Sequence, residues 1–147
     1  MDIIGNASIS DKEYFDIIKK DAKILVKNKK VNFLGSIPNH KVAEVYNKNK
    51  IVLNMTNSGS FDKTIIEAMA CENVILISNN SFRELIPKKY HNLLFFKEDN
   101  KNDLAKKIIK LLKLNEDEEV KIGKELRNKV VNYHSLKKLE VEVIKYL

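Results

Sequence analysis

The stretch GSFDKTIIEAMACENVILIS, residues 59–78, places a helix directly before a short apolar strand. Asp62 or Ser60 is a suitable N-cap for that helix, and residues 74–78 have the apolar character of a strand that is covered on both faces. One carboxylate, Glu67, interrupts the apolar helix. A buried, unpaired charge is strongly destabilising, so Glu67 must face water, have a partner or receive a ligand.

Strands and helices alternate along the rest of the chain. The predicted strands are residues 3–5, 31–35, 51–55, 74–78 and 93–96, and the predicted helices are 12–27, 40–47, the quoted helix, 82–86, 103–114, 116–133 and 135–146. This order predicts an α/β fold with a Rossmann-like parallel sheet and helices on both faces. Ligands of such sheets bind at the carboxyl ends of the strands. The loops 5–10, 35–39 and 56–62 therefore belong to one rim, and the helix after the third loop offers a phosphate its N-terminus.

The composition is that of a globular protein of one domain over residues 1–147, with 44% hydrophobic and 32% charged residues. No run approaches the length of a membrane span, and no secretory signal is visible at the N-terminus. The single cysteine, Cys71, excludes an intramolecular disulfide and leaves no cluster of metal ligands. We therefore expect a cytoplasmic protein without a metal or another cofactor.

The net charge of +7 comes almost entirely from lysine, since Arg83 and Arg127 are the two arginines. Arginine forks, the usual readers of base edges, are thus nearly absent, which argues against a nucleic-acid partner. Lys106, Lys107, Lys110 and Lys113 are expected on one side of a helix, opposite Leu104, Ile108, Leu111 and Leu112. A solvated surface is the simpler interpretation of this lysine face, and peripheral contact with a membrane is the alternative.

Residues 31–86, VNFLGSIPNHKVAEVYNKNKIVLNMTNSGSFDKTIIEAMACENVILISNNSFRELI, resemble the nucleotide-binding half of group 1 glycosyltransferases. These enzymes have the GT-B architecture of two facing Rossmann-like domains. The most specific part of the resemblance is Glu-Ala-Met-Ala-Cys, followed by a buried strand and then by Arg83-Glu84-Leu85-Ile86. The resemblance implies the C-terminal domain of such an enzyme, which binds a nucleoside diphosphate sugar as the donor.

The resemblance also assigns roles. Glu67 corresponds to the second glutamate of the family's pair, which accepts hydrogen bonds from the ribose hydroxyls, and such charge-assisted bonds are strong. The first glutamate is absent, because Gly59 stands eight residues earlier. Lys63 and Asp62 are the candidate catalytic residues that replace it in part. Lys63 is expected to meet the pyrophosphate, and Asp62 either contacts sugar hydroxyls or only caps the helix. The expected donor-binding residues also include Gly59, Ser60, Phe61 and Thr64. Candidates for lining the sugar pocket are Asn79, Asn80 and Ser81.

A second departure from the family pattern is expected at the N-terminal end. Family members have an N-terminal acceptor domain, and a first strand and helix with a pair of basic residues that neutralise the phosphates. This chain is expected to begin after them, so that the central strand of the sheet, between residues 3–4 and 51–55, is missing. The exposed edges would favour self-association or a separate acceptor-domain chain.

Two classes of function follow. One is the donor-binding part of a hexosyl-type glycosyltransferase that is inactive as an isolated chain, and the other is a non-catalytic nucleotide-binding module or decayed fragment.

Overall fold

The computed structural model describes residues 1–134 and, beyond them, residues 138, 140, 144 and 145. In chain order the elements are β1 (Asp2–Ile4), α1 (Lys12–Asp21), α2 (Lys23–Lys27), β2 (Asn32–Gly35), α3 (Asn39–Lys48), β3 (Ile51–Asn54), α4 (Lys63–Ala70), β4 (Val74–Ile77), α5 (His91–Leu94), α6 (Lys101–Leu111) and α7 (Glu116–His134). Short 3-10 turns occupy Ile9–Asp11, Asn80–Phe82 and Lys88–Tyr90. The predicted helix 135–146 falls largely outside the described residues.

The chain divides into two compact units, Met1–Val42 and Ala43–Leu147, which are described separately. The single domain expected over residues 1–147 stays a prediction. Both units have parallel strands, so the predicted α/β class is confirmed. No helix in the described part of the chain combines the length and the apolar character needed to cross a membrane.

The first unit is built on the parallel pair β1 and β2, in which Ile3 lies opposite Phe33. The ring of Phe15 on α1 meets the Phe33 ring edge-on at a centroid distance of 5.9 Å. The single helix predicted over 12–27 is two helices, because the chain turns at Ala22. Several apolar side chains that the predicted helix would have buried are exposed, among them Tyr14 and Ile17.

The second unit contains the larger core. Strands β3 and β4 pair in parallel with Leu53 opposite Leu76, and α4 connects them. All four residues of β4 are buried, as are Ile65, Ala68 and Met69 on one side of α4. Buried apolar surface of this kind is the main source of stability in a small domain. The sheet edge that carries the carboxyl ends of β3 and β4 is therefore held by a packed core.

Helix α7 packs against α4 through a close backbone approach at Gly123. A Cβ atom at this position would overlap the carbonyl of Glu72, so only glycine fits. Arg127, one turn later, donates a hydrogen bond to the Ala70 carbonyl at the C-terminal end of α4. A cation stabilises this end of a helix, where carbonyls lack partners. The orientation of α4 is thus fixed from its C-terminal end.

Two predicted elements are wrong. Leu93 and Leu94 belong to α5 instead of a fifth strand, and only Phe95 forms an isolated parallel bridge, with Ile77. Residues 82–86 do not form a helix, because the chain makes a 3-10 turn at Asn80–Phe82 and further turns up to Pro87. In both places apolar side chains are buried, namely those of Phe82, Leu94 and Phe95, so these segments belong to the core although their backbone conformation differs from the prediction.

Candidate functional site

The start of α4 is stabilised by Asp62, one of the two predicted N-caps. One carboxylate oxygen of Asp62 accepts hydrogen bonds from the Thr64 amide at 2.9 Å and from the Thr64 hydroxyl at 2.8 Å. Its other oxygen accepts a bond of 2.8 Å from the Asn54 side chain. Burial raises the pKa of Asp62, but the hydrogen bonds from Asn54 and Thr64 outweigh it and hold the pKa below its ordinary value. Asp62 is therefore an ionised cap with both oxygens engaged, and its contact with donor sugar stays a prediction.

Asn54 organises this loop, although the sequence analysis gave it no role. Its amide nitrogen donates to Asp62 and to the Thr64 hydroxyl, at 2.8 and 2.9 Å. Its oxygen accepts from the Thr56 amide at 3.0 Å and from the Thr56 hydroxyl at 2.7 Å. All hydrogen-bonding capacity of the side chain is thus used. The sequence offered one signal for this role, because Asn54 is a single amide side chain at the end of an apolar strand. The ends of parallel strands are where ligands bind.

The loop between β3 and α4 is tied to the turn that follows β4. The Gly59 amide donates to the Ser81 hydroxyl at 2.8 Å, and the buried Asn79 side chain donates to the Ser60 carbonyl at 2.8 Å. The Asn80 amide donates to the Ser58 hydroxyl at 2.9 Å. The three residues that were expected to line a sugar pocket therefore hold the loop in place through these bonds.

Gly59 occupies the position where the resemblance places a glutamate. Its φ is +102°, a conformation that side chains other than glycine rarely adopt, and no atom lies within 4 Å of where its Cβ would be. The space that a glutamate would occupy in the family is open here. The one carboxylate of the loop is that of Asp62, and both of its oxygens accept hydrogen bonds from Thr64 and Asn54.

Phe61 forms the aromatic surface of the loop. Its ring stacks on buried Phe82 and lies against the ring of His134, with centroid distances of 5.4 Å in both cases. Even so, 63% of Phe61 is exposed. A largely exposed aromatic ring is a suitable surface for a flat or apolar group of a ligand.

Lys63 is the first residue of α4, and its side chain is exposed. None of the ion pairs among the described residues includes its ammonium group. The charge is therefore available at the start of the helix, where the helix dipole favours an anion.

Glu67, one turn further along α4, is half-buried. The hydroxyl of Tyr46 lies 3.4 Å from Glu67 Oε2 and 3.4 Å from the Thr64 carbonyl, so it donates one weak, shared hydrogen bond. Burial and then the charge of Glu67 raise the pKa of Tyr46, which keeps this tyrosine a neutral donor. Among the described side chains Tyr46 is the one that donates to Glu67, which leaves the carboxylate largely free to accept other bonds.

The spacing of α4 brings three predicted site residues together. Lys63 and Glu67 are four residues apart and Thr64 and Glu67 are three apart, so they share one side of the helix. Tyr46, from α3, packs against that side and was missed in the sequence because a lone tyrosine in an amphipathic helix predicts only core packing. The arrangement offers a cation at the helix start, an acceptor one turn later and an aromatic ring in the preceding loop.

Comparison with solved structures shows a common fold. HepE from Anabaena, solved in complex with UDP, superposes with a TM-score of 0.82 at 16% identity, covering 99% of this chain and 40% of that chain. A glycosyltransferase from Rickettsia africae gives a TM-score of 0.80 at 22% identity, with 99% and 39% coverage. The C-terminal domain of a group 1 glycosyl transferase from Francisella tularensis gives 0.77 at 19% identity, with 92% and 69% coverage.

No curated protein matches the chain. The chain spans about 40% of the length of the Anabaena protein. The family model described as glycosyl transferases group 1 matches residues 1–133. This match extends over most of the sequence, and the chain therefore belongs to the group 1 glycosyl transferases.

Proposed function

We propose that this chain is the donor-binding part of a glycosyltransferase that takes its sugar from a nucleoside diphosphate sugar. The observation that carries the proposal is the half-buried carboxylate of Glu67, which lies one turn into α4 and accepts one weak bond from Tyr46. A carboxylate in that environment is stabilised when a ligand supplies donors, and two adjacent ribose hydroxyls are such donors. UDP in the complex of the Anabaena protein is a ligand of this class.

The proposed contacts follow the direction of α4. The ribose hydroxyls donate to Glu67, while the diphosphate lies at the positive end of the helix dipole and contacts the ammonium of Lys63. The exposed part of Phe61 contacts an apolar face of the ligand. Gly59 leaves open space, so sugar recognition depends on backbone groups of the loop instead of a glutamate.

In the proposed reaction the bond between the anomeric carbon and the diphosphate breaks, and an acceptor hydroxyl forms the new bond and gives up its proton. Lys63 and the helix dipole stabilise the negative charge that develops on the departing diphosphate. No cofactor or metal takes part in this scheme, in which positioning supplies most of the catalysis. The cytoplasm is the proposed location.

The acceptor is proposed to bind to a separate domain or chain. Partial coverage of the relatives supports this part of the proposal, as does the exposure of Tyr14, Ile17 and Ile24 in the first unit. A group of exposed apolar residues is suited to contact with a partner protein or with a second copy of the chain. The same partial coverage supports a second candidate, a module that binds the nucleotide without transferring sugar. Turnover after an acceptor domain is added distinguishes the two.

The test of donor binding is calorimetry of UDP with the wild-type chain and with Glu67→Gln. Replacing the charged acceptor weakens a pair of hydrogen bonds and reduces the binding free energy by about 1.5 kcal/mol or more. We therefore expect a loss of affinity of about ten-fold. Glu44→Gln is the matched control, because Glu44 is an exposed carboxylate on α3, the helix that carries Tyr46.

The control variant should bind UDP like the wild type. Circular dichroism must show that all three proteins are folded. Equal affinity of the folded Glu67→Gln variant and the wild type would remove the proposed role of Glu67 and reduce this side chain to a partner of Tyr46.

A further inference from the structure

A cleft lies beside the turn that follows β4. Its volume is about 410 Å³, and its walls come from that turn, from α5 and the residues after it, and from α6. The size falls in the range of roughly 300–1,000 Å³ that is usual for small-molecule sites. The ionic groups in its wall are Arg83, Lys97, Lys107 and Asp103, with His91 beside them.

Lys107 is the most informative of these residues. It was expected on a solvated lysine face, but only 8% of it is exposed. Its ammonium donates hydrogen bonds to the backbone carbonyl and the side-chain oxygen of Asn92, which are both neutral groups. No carboxylate of the described residues lies within ion-pair distance of this ammonium. A buried lysine without a counter-charge is costly, and a bound anion lowers that cost.

Arg83, in the turns that follow β4, is held in a fixed orientation. Its Nε donates to the Asn80 side chain at 2.6 Å, and its guanidinium lies 4.6 Å from the centre of the Phe95 ring. His91 Nε2 lies within 3.0 Å of the carbonyls of Arg83 and Ile86, which makes Nε2 the donor and leaves Nδ1 to accept from Arg83. A guanidinium with preset orientation loses little entropy when it binds an anion.

The charge balance of the cleft is positive. Three cations, those of Arg83, Lys97 and Lys107, face one carboxylate, that of Asp103. Asp103 already accepts a hydrogen bond of 2.8 Å from the Lys97 amide, which fixes the carboxylate at the start of α6. A ligand with two negative charges would neutralise the excess, and an arginine with two lysines is a typical set of partners for phosphate.

We propose that this cleft binds a small phosphate monoester, with Arg83, Lys97 and Lys107 as the groups that hold the phosphate. The cleft is larger than a phosphate ion needs, so the organic part of the monoester occupies the remaining volume, next to Phe96. The site is independent of Glu67 and Lys63, because none of its walls comes from α4. Asn80 connects the two sites, because it lines the cleft and its amide donates to Ser58 in the loop between β3 and α4.

The test is a titration of the 147-residue chain with methyl phosphate and, in a separate arm, with inorganic phosphate, followed by amide NMR at constant ionic strength. We expect saturable shifts of the amides of Asn80, Asn92 and Lys97 in the methyl phosphate arm. Lys97→Gln and Lys107→Gln should each weaken binding by about five-fold or more, the effect of one charge-assisted hydrogen bond. Lys106→Gln is the matched control, because it removes the same charge from the exposed neighbour.

Lys97 is exposed, so its variant keeps the test valid even if Lys107→Gln does not fold. Saturation by both phosphates identifies the phosphate as the recognised group, and saturation by methyl phosphate alone identifies the monoester. Shifts that do not saturate with either ligand, or equal affinity of the Lys97→Gln and Lys106→Gln variants, would overturn the proposal. Binding that is lost in Lys63→Gln and kept in Lys97→Gln would also overturn it, since it would place the phosphate at the start of α4.

Discussion

Replacing Asp62 by alanine removes the N-cap of α4 and, with it, the hydrogen bond that joins Asn54 at the end of β3 to the start of α4. Thr64 loses the acceptor of its amide and its hydroxyl, and Asn54 loses the partner of one amide hydrogen. Loss of an N-cap costs about 1 kcal/mol, and leaving a half-buried donor without its charged partner costs about another 1 kcal/mol. We therefore expect Asp62→Ala to lower the free energy of unfolding by about 2 kcal/mol.

The assay is urea unfolding followed by circular dichroism at 222 nm. Asp62→Asn should lower the free energy of unfolding by about half as much, because asparagine is also a good N-cap. It still loses stability, because an amide nitrogen replaces the carboxylate oxygen that accepts from Asn54. Asp117→Ala, at an exposed carboxylate in the first turn of α7, is the control and should change stability by about 0.5 kcal/mol or less. A loss below about 0.5 kcal/mol for Asp62→Ala would refute the reasoning about the cap.

The pH dependence of this difference follows from the lowered pKa of Asp62. A carboxylate with a folded-state pKa below its unfolded value stabilises the fold above the unfolded value, and this contribution disappears as the pH falls through the folded value. The difference between wild type and Asp62→Ala should therefore be constant near neutrality and shrink below the ordinary value of 3.8. A difference that is equally large at pH 7 and pH 2 would contradict the ionised cap.

Three further predictions concern the phosphate contact, the core and the reaction. Lys63→Ala should weaken UDP binding by about ten-fold and uridine binding by less than about two-fold in calorimetry, and equal losses for both ligands would show that Lys63 only supports the loop. Gly123→Ala should destabilise the chain by about 2–3 kcal/mol in urea unfolding, because its Cβ overlaps the Glu72 carbonyl, whereas the neighbouring exposed Lys124→Ala should have little effect. The purified chain should transfer no sugar to lipid or sugar acceptors by itself, and steady turnover by a monodisperse monomer would exclude the need for a separate acceptor domain.

Much of the site could be predicted because its signals are local. The cap at Asp62 and the strands around α4 follow from residue types and from runs of apolar residues in the sequence. The bonds of Asn54 could not be predicted, because they depend on the distance between a strand end and a helix start. The partner of Glu67 could not be predicted for the same reason, since Tyr46 lies 21 positions away in the sequence.

The wrong predictions have physical causes as well. Residues 93–96 are four apolar residues in a row, and such a run has no period that separates helix from strand. Lys107 was predicted to be exposed like its lysine neighbours because of its residue type. It lies three residues after Leu104 and four before Leu111, however, which puts it on the inward side of α6. A long side chain allows a lysine at such a position, because the ammonium can reach the oxygens of Asn92.

The structure of this chain in complex with UDP tests the central claim most directly. The account predicts ribose hydroxyls within hydrogen-bonding distance of the Glu67 carboxylate and the diphosphate at the start of α4, next to Lys63. UDP bound at another place, with Glu67 contacting only Tyr46, would contradict the account.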